Sequence, residues 1–78
     1  MLFQLIEIEL DDKGHMIAER RTLPLFELHQ DAMAMAEFAA SRCHGDYGYD
    51  AAADCWWGAG RDGRRTCFVV QPALEAAA

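Results

Sequence analysis

Cys43, His44, Cys55 and Cys67 supply four possible zinc ligands, and the thiols among them are possible nucleophiles. Thiolate and imidazole suit zinc, but structural zinc sites usually draw their ligands from tight Cys-x-x-Cys pairs, and the sequence has none. Strand alternation, developed below, also places Cys55 and Cys67 on opposite sheet faces, so one site could use both only across a bulge. Nucleophilic catalysis needs a thiol beside an imidazole that a third group orients. Cys43 and His44 are neighbours on a predicted helix, where successive side chains diverge by about 100°. His44 then reads as a solvated helix-end residue favoured by the negative end of the dipole.

The remaining candidates are weaker. His15 falls beside a turn and His29 at a helix start, both ordinary places for exposed imidazoles. Glu7 with Glu9, and Asp50 with Asp54, lie on strand exteriors, where carboxylates serve solubility more often than acid-base chemistry. Gly58-x-Gly60-x-x-Gly63 has the spacing of a dinucleotide fingerprint, but it falls in a hairpin turn and not between a strand and a helix. No catalytic residue, metal site or cofactor follows, and the expectation is a protein that is not an enzyme.

Bulk properties narrow the class. Seventy-eight residues make one domain, and 53% apolar composition is too high for a disordered chain. No apolar run reaches the roughly 18 residues of a membrane helix. The start, Met1-Leu2-Phe3-Gln4-Leu5-Ile6, lacks a basic segment before Glu7 and Glu9 interrupt it, so a cytoplasmic location is expected. Three cysteines cannot all pair within one chain, which favours reduced thiols. A formal charge of −6 argues against wide contact with a phosphate backbone. One lysine against six arginines, among many alanines, suggests the coding bias of a GC-rich bacterial genome.

These side chains must be positioned by a small set of elements. Alternation at Ile6, Ile8 and Leu10 against Glu7 and Glu9 predicts a half-buried first strand. Asp11-Asp12-Lys13-Gly14 supplies a turn into a second strand over His15 to about Thr22, and Pro24 ends its ladder. Helical spacing runs from about Leu28 to His44, with Leu28, Ala32, Met35, Ala36, Ala39 and Cys43 as its apolar stripe and Gly45 as its C-cap. A third strand is predicted from Tyr49 to Trp57. Its core set is Tyr49, Ala51, Ala53, Cys55 and Trp57; its outer set includes Asp54 and Trp56. Asp62-Gly63 signals a tight hairpin into a fourth strand that ends at Pro72, with Trp57 facing Phe68 and Cys55 facing Val70. Arg61 opposite Arg64 would repel, which a longer loop or bulge would relieve.

The expected fold is therefore α+β, ββαββ: a four-stranded antiparallel sheet in order 2-1-3-4 with one helix on one face. The single domain spans residues 1–72, and 73–78 form a frayed tail. One helix covers one face only. The other is expected to carry Phe3, Leu5, Met16, Trp56, Cys67 and Val69, an apolar set suited to a homodimer or a small protein partner. The alternative is single-stranded nucleic acid, with a base stacked on Trp56 and phosphates held by Arg61, Arg64 and Arg65. Acidic neighbours and the net charge weigh against it.

Overall fold

The computed structural model describes residues 1–73. Strand β1 (Phe3–Leu10) and strand β2 (Met16–Arg21) form a hairpin, followed by helix α1 (His29–Ser41). Three strands follow: β3 (Tyr47–Asp50), β4 (Cys55–Ala59) and β5 (Arg65–Pro72). All pairings are antiparallel, giving one five-stranded sheet in order β2-β1-β5-β4-β3. The α+β class and the single helix agree with expectation; the strand count and order do not. The tail expected at 73–78 lies, apart from Ala73, outside the described residues.

The predicted third strand is two strands. Asp50 Oδ1 accepts hydrogen bonds from the Ala52 and Ala53 backbone N–H groups, at 3.0 and 3.3 Å, and Asp54 takes a left-handed φ of 52°. These contacts bend the chain at Ala51–Asp54, where an Asp side chain mimics a turn carbonyl. Alanine alternation there fits a strand equally well, because nothing in Ala-Ala-Ala chooses a face.

The second departure is a one-residue slip. The chain between β4 and β5 is a five-residue loop, with a 3-10 turn at Arg61–Gly63 and left-handed Asp62 and Gly63, so Ala59 pairs with Arg65. Arg61 and Arg64 are thereby no longer strand partners. Trp56 faces Phe68, and Trp57 faces Cys67. Because side chains alternate with period two, a slip of one exchanges the two faces of a strand.

The first hairpin shifts too. Asp11 Oδ1 accepts from the N–H groups of Lys13 and His15, enlarging the turn, and a bulge at Glu9/Leu10 follows. Glu7 now lies directly opposite Arg20, where their side chains approach to 3.5 Å. Beyond β2, Phe26 pairs with Phe3 through two backbone hydrogen bonds, so the start of β1 is flanked by the β2–α1 connection.

Alanine is why the helix packs closely. Ala32, Ala36 and Ala40, one turn apart, are fully buried, and Ala36 and Ala40 pack with Leu5 and Phe68. This seam is rotated from the predicted stripe: Leu28 and Met35 are exposed, while Ala39 and Cys43 lie at its margin. Gly58 of β4 completes the fit, since a Cβ there would lie 2.7 Å from Cys43 Cβ and 3.0 Å from the Ala40 carbonyl. Gly45 is not a left-handed cap. It lets the chain pass β4, where its N–H donates to the Ala59 carbonyl at 3.0 Å.

Candidate functional site

The helix divides the strand residues into two sets. Register partners in an antiparallel pair project to the same side, so contacts to α1 fix the faces. Leu5, Phe68, Val70, Trp56 and Gly58 are on the helix side, together with Phe3, Glu7 and Glu9. The opposite face carries Ile6, Ile8 and Leu10 of β1, Cys67 and Val69 of β5, and Cys55 and Trp57 of β4. Among the described residues no helix or strand packs over it.

Of the six residues expected on the open face, Met16, Cys67 and Val69 are there, Met16 opposite Leu10 at the bulge. Phe3, Leu5 and Trp56 are on the helix side instead. Leu5 is in the central cluster, and Phe3 makes an edge contact with His29, ring centroids 5.3 Å apart. Trp56 packs against the same cluster and against Tyr49, centroids 5.5 Å apart. The structure therefore interchanges the two tryptophans: Trp56 serves the core and Trp57 the open face. The missed residues, Ile6, Ile8, Leu10, Cys55 and Trp57, form the apolar alternation assigned to the core in the sequence. Only the repulsive Arg61/Arg64 pair in the tight hairpin hinted at the slip.

Trp57 is held in place by its surroundings. Its ring lies across β3 at Gly48, where a Cβ would come within 3.2 Å of it, and the Arg65 guanidinium stands 4.4 Å from its centroid. That is cation–π distance. Arg64 points to the other side and approaches Glu9 at 3.7 Å, while Arg61 is exposed in the 3-10 turn. The three arginines thus do not line one track. Ile6, between Val69 and Arg21 in register, is 1% exposed; its open-face neighbours Ile8, Leu10, Val69 and Trp57 are half-buried.

The thiols also rearrange. Cys55 and Cys67 share the open face, contrary to expectation, with Cys55 buried and Cys67 half-buried. Burial, and then Cys67, pushes the Cys55 thiol up to about 11. Cys43 is on the helix side, with its thiol raised by burial and by Glu7, and His44 is exposed beyond the helix. Among the described residues no three His, Cys, Asp or Glu side chains are grouped to hold a metal, and no helix is long and apolar enough to cross a membrane. A cavity of about 260 Å³ lies where the β1–β2 turn meets the β4–β5 loop, lined by Leu10, Asp11, Asp12, Gly14, Gly63 and Arg65. Its Asp11 carboxylate already accepts the turn's hydrogen bonds. Compared with family models, curated proteins and solved structures, the chain matches none.

Proposed function

We propose that this chain is a small non-enzymatic domain that self-associates through the sheet face opposite α1, two copies stacking face to face about a two-fold axis. The observation that carries this reading is the composition of that face: half-buried Ile8, Leu10, Val69 and Trp57 present apolar surface around the buried Ile6, with no helix over it. Five strands of four to eight residues, about 3.4 Å per residue and about 4.8 Å apart, present roughly 500 Å² in projection. Side-chain relief enlarges this toward the roughly 800 Å² per partner of a standard interface.

Charge favours a second copy as the occupant. The chain carries −6, yet the charged strand residues of this face are Glu19, Arg21, Asp50 and Arg65, two of each sign. A neutral rim with both signs can complement itself across a two-fold axis, as an isologous contact requires. Covering the exposed part of Trp57 adds about 2 kcal/mol before association costs. For single-stranded nucleic acid, Arg65 would have to leave the Trp57 ring and Arg64 would have to leave Glu9, so the geometry supports that alternative less.

Sedimentation over a concentration series tests the proposal. The expected result is a dimer at micromolar protein that Trp57→Arg converts to a folded monomer, judged by an unchanged far-ultraviolet dichroism spectrum. A wild-type chain that stays monomeric at high micromolar concentration would remove the reading.

A further inference from the structure

Cys55 and Cys67 are diagonal neighbours on adjacent strands of the open face: Cys67 is opposite Trp57, and Cys55 precedes Trp57 by two. Diagonal positions in an antiparallel pair are about 7 to 8 Å apart, just beyond the roughly 7 Å between Cα atoms that a disulfide spans without backbone movement. The β4–β5 ladder stops at Trp56 opposite Phe68, so no ladder pairing ties Cys55 to β5. Cys55 also follows the left-handed Asp54 directly, at the end of a turn. Its remaining ladder partner is Asp50 of β3, so closing the bond to Cys67 shifts the start of β4 together with the β3–β4 turn. The third cysteine, Cys43, lies across the sheet against Gly58 and cannot compete.

We propose that Cys55 and Cys67 form a reversible dithiol/disulfide site on the helix-free face, oxidised by a low-molecular-weight disulfide of the glutathione class. Cys67 is the more exposed of the two and attacks first: its thiolate displaces one glutathione thiolate and leaves a mixed disulfide. Cys55 then loses its proton to solvent and attacks the Cys67 sulfur, releasing the second glutathione. Two thiols are oxidised to one disulfide while one glutathione disulfide is reduced to two thiols. A bond closed across a diagonal is strained and easily reduced, which suits a switch better than a permanent staple. The raised Cys55 thiol makes the second step the slow one, faster as pH rises. The bond lies within one chain, but a second copy stacked on this face would cover Cys67. Glutathione therefore reaches the thiols in the unassociated chain, and the reaction is run at protein concentrations below the association range.

The test uses the full chain and Cys43→Ser, each incubated with oxidised glutathione and followed by intact mass and peptide mapping. The expected product has lost two hydrogens, carries no glutathione, and maps to a Cys55–Cys67 bond within a monomeric chain. Reduced glutathione in excess restores both thiols. Trp57 fluorescence follows the conversion, since its strand partner is Cys67. Cys55→Ser is expected to stop at a stable glutathione adduct on Cys67. A wild-type chain that also stops at the adduct, links Cys43, or crosslinks only between chains would overturn the proposal. So would a bond that only a dithiol reductant, and not glutathione, can open.

Discussion

At Gly58 a single added methyl group meets backbone and side chain together, since Ala40 and Cys43 of the helix end lie against it. Gly58→Ala is expected to destabilise the fold by about 1 to 3 kcal/mol through overpacking, read as a lower urea midpoint with an unchanged slope. The neighbouring tryptophans should respond differently. Trp56→Ala removes a ring from the central cluster and is expected to cost about 2 to 3 kcal/mol, below the 3 to 5 of a fully buried aromatic because Trp56 is half-buried. Trp57→Arg loses the Arg65 contact and sets a second cation beside it, so it is expected to cost about 1 to 2 kcal/mol of stability while leaving the fold, and to reduce association a great deal. Cys55 adds a pH dependence. Its folded thiol is raised to about 11 from an ordinary 9.0, so the native state holds a proton that the unfolded state releases over that window. Stability from this group is complete below pH 9.0 and falls as pH rises toward 11. Cys55→Ser should flatten that decline in denaturation curves taken at increasing pH.

Among the elements, the two turns on either side of β4 govern which residues face outward. Asp50→Ala removes the acceptor for two backbone N–H groups and is expected to weaken the β3–β4 turn by about 1 kcal/mol. Asp62→Gly relieves a left-handed residue and is expected to raise the thermal midpoint, by up to about 1 kcal/mol of stability. Both effects can be read from thermal unfolding followed by dichroism. The opening hairpin, the helix and a final strand ending at Pro72 were legible in the sequence, because periodicity and proline report on the local chain. The faces of β1 and β4 were not. Leu5 and Ile6 are both buried, so neither parity of β1 is polar enough to mark its exterior, and β4 depends on a loop in which one residue decides the register. Phe68 and Val70, placed in the core through the tight-hairpin register, are found on the helix side, because the one-residue slip exchanges the faces of β4 and leaves those of β5 as read. The open-face site was therefore visible as a class of surface, with half its membership exchanged.

Across the whole molecule, helix and sheet form two layers, and a second copy over the open face would add two more. In sedimentation run at low and high salt, the dimer should be nearly insensitive to ionic strength if the apolar surface dominates, because the charges on that face cancel. A salt-dependent constant would point to the rim instead. The sheet order has a separate consequence for how the chain is made. β1 and β5 are the first and last strands and lie side by side in the middle of the sheet, with Phe3 opposite Pro72. During synthesis, the β1–β2 hairpin and the β3–β4 hairpin emerge as separate pieces, and neither has a neighbour along its inner edge. Only when residues 65–72 leave the ribosome can the seam between the halves close, so the native sheet is unavailable to any nascent chain that stops short of β5.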